Sequence, residues 1–176
     1  MAVLGDRETH SRWDHISGEA FDGPLAGGRL DVWPVRMTTG GAALIETPGI
    51  EVYFSTFFSW VAWISRHVYA RFIKSRVWFP PPFHLSMSRS IDPRLPRQTQ
   101  GLGVIAGKHA RYYPVKFIPK DGIEDDWRGR CLQINLDPLD GVPYARWKDT
   151  GEPPMQLLTR WYGFSFTYPD CKIWMG

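Results

Sequence analysis

Gly101-Leu102-Gly103-Val104-Ile105-Ala106-Gly107-Lys108-His109-Ala110-Arg111-Tyr112-Tyr113-Pro114-Val115-Lys116-Phe117 is the stretch that decides the fold class. Leu102 to Ala106 and Ala110 to Phe117 read as two strands, rich in β-branched and aromatic residues and joined at Gly107-Lys108. Downstream, Cys131 to Leu136 alternates as a strand, with shorter strands near Pro143 to Trp147 and at Lys172 to Trp174. Asp121 to Arg130 reads as an acidic turn, and Gln156 to Tyr168 as a helix.

Upstream, Thr9 to Ala26 is polar and turn-rich, with a tight loop at Gly23-Pro24-Leu25-Ala26-Gly27-Gly28. Arg29 to Val35 alternates as a strand, with Pro34 marking an edge or an end. Thr38 or Thr39 caps a short helix over Gly40 to Thr47, which Pro48-Gly49 ends, and Ile50 to Tyr53 reads as a short strand.

A long basic helix is expected next, from about Phe54 to Arg76, closed by Pro80-Pro81-Pro82. Phe57, Trp60, Val61, Ile64, Val68 and Phe72 share one face at i, i+3, i+4 spacing, although Arg71 falls inside the stripe. The expected class is therefore α+β: a strand-rich single domain over 1–176 with one long amphipathic basic helix. Its parts are a first strand/helix unit at 1–53, the basic aromatic helix at 54–79, a Pro-rich irregular connection at 80–101 and a second strand/helix unit at 102–176. The two units are weakly similar. Gly27-x-x-Leu30-x-Val32 recurs as Gly129-x-x-Leu132-x-Ile134, and Thr38, Pro48 and Val52 match Thr159, Pro169 and Ile173 at a constant offset of 121.

The net charge of +3 conceals an uneven layout. Residues 1–56 carry four Lys/Arg against eight Asp/Glu, residues 57–120 carry eleven against Asp92 alone, and residues 121–176 carry six against nine. A basic centre of +10 between acidic flanks either folds against those flanks or faces an anionic partner. Nine Trp residues fit core packing first and an interfacial surface second. The longest nearly apolar run, Val52 to Ile64, is shorter than a membrane span, and the amino terminus lacks the apolar stretch of a signal peptide.

Catalytic signatures are sparse. No Gly-x-Ser-x-Gly elbow occurs, and neither Cys131 nor Cys171 has a neighbouring His. These two cysteines read as inert buried thiols, with a single bond between them as the lesser expectation. Gly101-x-Gly103-x-x-x-Gly107 lacks the Lys-Ser/Thr of a nucleotide loop. The basic segment lacks any recognisable nucleic-acid motif, so a nucleic-acid partner is not favoured. His10, Asp14 and His15 form a cluster with metal-ligand chemistry, with His84 and His109 as candidates to join it in the fold, yet no recognised spacing is present; Glu124-Asp125-Asp126 with Asp121 lacks calcium-loop spacing and reads as a solvated turn.

Several stretches in order along the chain are similar to a known family. They are Arg7 to Ala20 (RETHSRWDHISGEA), Gly23 to Gly27, Pro34 to Thr39, Asp92-Pro93-Arg94-Leu95-Pro96, Ala110 to Pro114, and Thr159 to Pro169 (TRWYGFSFTYP). Together they resemble the carboxy-terminal portion of the family catalogued as domain of unknown function 3179, over nearly the whole chain and most loosely over the basic helix. The resemblance implies no activity. Full-length members begin with an upstream unit holding a Cys-Pro-x-Cys stretch, which this chain does not contain. The mirroring position, Ile134 to Asp140, has no cysteine. No redox or metal role resting on those thiols carries over, and an exposed sheet edge covered by a partner subunit, in an oligomer or a split protein, is expected.

The resulting expectation is a non-catalytic interaction domain, without a cofactor, docking on an anionic membrane surface or a larger membrane-associated assembly. Trp60 and Trp63 would anchor, and Arg66, Arg71, Lys74 and Arg76 would meet headgroups or an acidic partner subunit. The alternative is a metal-binding or redox enzyme domain using His10, Asp14 and His15.

Overall fold

Alternation along the first strand of the central hairpin puts Gly101 and Gly103 on one face and Leu102 and Val104 on the other, and the layers of the fold follow from that. The computed structural model describes residues 3–31, 37–51, 60, 63, 64, 67 and 92–176. The chain divides into two compact units, Met1–Arg36 and Met37–Gly176.

The first unit is a small antiparallel sheet of β1 (Val3–Gly5), β2 (Arg12–Asp14) and β3 (Ala20–Asp22), in that order. The stretch Thr9 to Ala26, expected to be polar and turn-rich, thus also holds the short strands β2 and β3. Strands of three residues are too short for alternation to show, and side-chain turn chemistry dominates the pattern. Asp6 accepts from the backbone N–H of Glu8 at 2.7 Å, and Asp14 accepts from that of Ile16 at 2.7 Å. Trp13, Ala20 and Ser11 are buried, and Ser11 Oγ accepts from the Leu25 N–H at 3.1 Å. Gly23, at φ +91°, is required there because a Cβ would stand 2.6 Å from Ser11 Cα. Arg29 makes only an isolated bridge to Glu19, and residues 32–35 of the expected strand lie outside the described residues.

The second unit holds α1 (Gly40–Glu46), β4 (Gln100–Ala106), β5 (His109–Pro114), β6 (Ile123–Trp127), β7 (Arg130–Leu136), β8 (Pro143–Trp147), β9 (Met155–Arg160), α2 (Trp161–Thr167) and β10 (Lys172–Ile173). One sheet runs β10-β5-β4-β9, antiparallel except where β10 pairs with β5. The other is the antiparallel meander β6-β7-β8. The strand-rich expectation holds. Of the expected long basic helix, only Trp60, Trp63, Ile64 and His67 are described, and all four are helical. The rest lies outside the described residues.

Leu102, Val104 and Tyr113 face the meander and pack with Trp127, Leu132, Ile134, Ala145 and Trp147. On the opposite face, Tyr112 packs with Trp161, Phe164, Cys171 and Leu95. Gly101 and Gly103 lie on this second face. A Cβ on Gly103 would overlap the Phe164 ring, and one on Gly101 would stand 2.5 Å from Tyr112 Cζ. The glycine pattern therefore serves close packing of a helix on a sheet. The Tyr112 hydroxyl shares its one proton between the carbonyls of Thr99 at 2.8 Å and Thr159 at 2.9 Å, which satisfies it in the core.

Between the sheets, Asp125 accepts from the Tyr113 hydroxyl at 2.5 Å and from the Arg111 guanidinium. The Arg111 and Asp125 side chains are 18% and 13% exposed, so this is a largely desolvated pair. Outside the helix-packed face, Arg94 ties the chain before β4 to the chain after α2. Its guanidinium donates to the carbonyls of Cys171 at 2.9 Å and Pro169 at 3.1 Å, and to the Asp92 carboxylate. The Trp161 indole N–H donates to the Asp92 carbonyl at 3.0 Å. Both cysteines are free, so no bond joins them.

Three expectations are corrected in this unit. Asp121 to Arg130 is not one turn: Ile123, Asp125 and Trp127 point inward along β6, and the turns are confined to Asp121 at one end and Arg128-Gly129 at the other. Its polar Asp125 hides the alternation, because the partners that satisfy it sit on another strand. Gln156 to Tyr168 is not one helix either. Pairing from Gln100↔Arg160 to Ile105↔Met155 claims its first half, and the helix begins at Trp161. Local helical spacing loses there to the hydrogen bonds that β4 offers. In addition, β5 stops at Pro114, and Val115–Phe117 is a turn of 3-10 helix.

The offset of 121 residues reappears in the backbone. Gly40–Glu46 and Trp161–Thr167 are helices of seven residues. The residues that follow them, Thr47 and Tyr168, adopt φ −129°, ψ 81° and φ −122°, ψ 75°, and donate to the carbonyls of Ala43 and Phe164. Ile50 N–H then donates to Thr47 O and Cys171 N–H to Tyr168 O, each at 3.1 Å. The first helix carries the expected cap, with Thr39 accepting from Ala42 N–H at 3.3 Å.

Gly103→Ala is expected to destabilise the protein by about 1–3 kcal/mol through overpacking. Gly163→Ala, whose Cβ would meet only Thr159 Oγ1 at an ordinary 3.5 Å, should instead gain about 1 kcal/mol from helix propensity. Urea unfolding of the two variants checks the opposite signs. Acid stability gives a second test. The Arg94 hydrogen bond holds the Asp92 carboxyl below the ordinary aspartate range, against the upward push of burial. A carboxyl lowered in the folded state adds stability above its unfolded value and loses it as pH falls through the folded one. Asp92→Asn should therefore lower Tm at neutral pH, and the gap to the parent protein should close below about pH 4.

Candidate functional site

A pocket of about 350 Å³ opens where three chain segments of the second unit meet. The β4–β5 turn supplies Lys108 and His109, the β6–β7 turn supplies Arg128, and the chain after α2 supplies Asp170, Cys171 and Lys172. Trp127 and Tyr168 add aromatic walls. Each cation arrives by a feature of local geometry. Gly107, at φ +60°, takes the first position of a two-residue turn and leaves Lys108 at the second. Trp127↔Arg130 pairing leaves Arg128 and Gly129 as the other turn, at φ 58° and 86°. Both values are positive, as a type I′ turn demands, and that first position ordinarily takes Asn, Asp or Gly. An arginine held there costs roughly 1 kcal/mol.

The charges in the pocket are not balanced. Arg111 lies over the Trp127 ring at 5.0 Å and is neutralised by Asp125. The Arg128 guanidinium donates to His109 Nε2 at 2.5 Å. Arginine has no acceptor, so the imidazole accepts and carries its proton on Nδ1. Among the described residues, no carboxylate forms an ion pair with Lys108, Arg128 or Lys172, and Asp170 is the sole acidic residue lining the pocket. Burial pushes the Cys171 thiol up, against the opposing pull of Arg94, so it stays protonated and is a poor nucleophile.

The residues singled out from sequence fall elsewhere. Trp60 and Trp63 are exposed, at 66% and 64%, and Ile64 at 44%. With His67 they occupy i, i+3, i+4 and i+7 of helical backbone, so they share one face. The His67 ring lies against that of Trp63, centroids 4.7 Å apart and tilted by 37°, and its Nδ1 lies 2.9 Å from the Trp63 carbonyl. Arg66, Arg71, Lys74 and Arg76 lie outside the described residues, as does His84. His10 is exposed at φ 56°, His15 is exposed, and Asp14 is engaged in its own turn. Among the described residues no group of three or more His, Cys, Asp or Glu is placed to hold a metal.

Sequence reasoning missed Lys108, Arg128 and Lys172. The available signal was Arg128-Gly129, a turn dipeptide with a charged residue where a small polar one belongs. The tryptophans split both ways: Trp13, Trp127, Trp147 and Trp161 are core, while Trp60 and Trp63 are surface. Among the described residues, no helix is long and apolar enough to cross a membrane.

No curated protein and no solved structure matches the chain. A family model described as "Protein of unknown function (DUF3179)" matches residues 1–138, which includes β1 to β7 and the two turns that carry Lys108 and Arg128. The chain therefore belongs to the DUF3179 family.

Proposed function

We propose that the protein is a non-catalytic interaction domain that docks on an anionic membrane surface. The observation that carries this reading is the exposed ridge of Trp60, Trp63 and Ile64 on one helical face. Large rings left in water are costly unless a partner covers them, and indole rings settle at the depth of lipid headgroups. The charge layout supports the same reading, since residues 57–120 hold eleven Lys/Arg against one carboxylate. In this reading Arg66, Arg71, Lys74 and Arg76 meet headgroup phosphates. A larger membrane-associated assembly offers the same chemistry through an acidic subunit.

Vesicle flotation tests the proposal. The protein should float with phosphatidylcholine vesicles containing phosphatidylglycerol and not with phosphatidylcholine alone, and added salt should weaken the association. Trp60→Ala with Trp63→Ala should reduce partitioning by at least about tenfold without changing Tm. Failure to float with either vesicle overturns membrane docking, and co-purification with a protein partner would then support the assembly instead.

A further inference from the structure

Arg128 is the residue that the fold accommodates against its own preference. A two-residue turn with both φ positive is the usual place for Asn-Gly, and the chain sets Arg-Gly there. An unfavourable backbone position held by the surrounding structure points to work done by the side chain. That side chain lies against His109 at the pocket wall. Lys108 and Lys172 reach the same pocket from two other segments, and Asp170 alone opposes them among the described residues.

We infer that this pocket binds a phosphoryl group, with Arg128, Lys108 and Lys172 as its ligands. Three cations from three separate segments surround an anion from several sides, which suits a tetrahedral dianion better than a planar carboxylate. His109 holds the Arg128 guanidinium in place by accepting one of its N–H groups, leaving the others to donate to the phosphate oxygens. A volume of about 350 Å³ admits a phosphate with a small organic group, for which Trp127 and Tyr168 supply flat walls. No bond is made or broken. The source of the phosphoryl group is either a small soluble phosphomonoester or a phosphomonoester lipid headgroup.

Arg128→Asn separates binding from folding, because asparagine suits the turn. Calorimetric titration with inorganic phosphate should show millimolar or tighter binding that weakens with salt. Arg128→Asn should weaken it by at least about tenfold while Tm holds or rises. Lys172→Ala should also weaken it, and Trp60→Ala with Trp63→Ala should not. Acetate at equal concentration should not compete. Sedimentation with phosphatidic acid vesicles distinguishes the sources. An Arg128-dependent gain over phosphatidylglycerol assigns the lipid, and phosphate binding without that gain assigns a soluble ligand. Undiminished phosphate affinity in Arg128→Asn, competition by acetate, or no phosphate binding in the parent protein overturns the inference.

Discussion

Between the two sheets of the second unit, the Asp125 carboxylate takes the Tyr113 hydroxyl and the Arg111 guanidinium at once. A charge in that position has to be fully bonded, because burial without partners would cost several kcal/mol. Its two donors lie on β5, two residues apart, so they leave the same face of the strand. The register of β5 against β4 and the approach of β6 are thereby coupled. A slip of one residue would bring Tyr112 to the inter-sheet side and strand the carboxylate. It would also remove the ring that fills the space left by Gly101.

That register places the turns. With β5 and β6 fixed against each other, the Gly107-Lys108 and Arg128-Gly129 turns open on the same pocket. The parallel pairing of β10 with Arg111 and Tyr112 brings Lys172 beside them. Arg94 secures the approach to β10 by holding the carbonyls of Pro169 and Cys171. The positive character of the pocket is thus a by-product of topology in its placement, though not in its composition. Asp125 spends its charge on Arg111, and the remaining cations are left facing solvent.

Much of the second unit was legible from sequence. The β4–β5 pair, β7, β8 and the Thr39-capped helix all follow local rules that their own residues obey. What was illegible obeys rules set by distant residues. Asp125 reads as polar because Tyr113 and Arg111 are not its neighbours in sequence. Gln156 to Arg160 reads as helical because β4, its partner, lies more than fifty residues away. The pocket was hidden for the same reason: Lys108, Arg128 and Lys172 share no spacing. The helical stripe read from sequence holds Trp60 and Ile64 but not Trp63, so the shared exposure of the two tryptophans was only half legible; of His10, Asp14 and His15, Asp14 is engaged in its own turn and both imidazoles are exposed.

The two helices separated by 121 residues share length, exit angles and the turn that follows, yet no equivalent position in them carries the same side chain. Trp161 and Phe164 fill the core from one of them, while Leu44 and Ile45 of the other stand in solvent. Backbone conformation here is insured twice, once by packing and once by hydrogen bonds that need no particular side chain. Such a segment is free to drift in sequence without losing its shape. Descent from a single ancestral segment would leave this signature, in which dihedral angles preserve a kinship that the letters of the sequence have nearly erased.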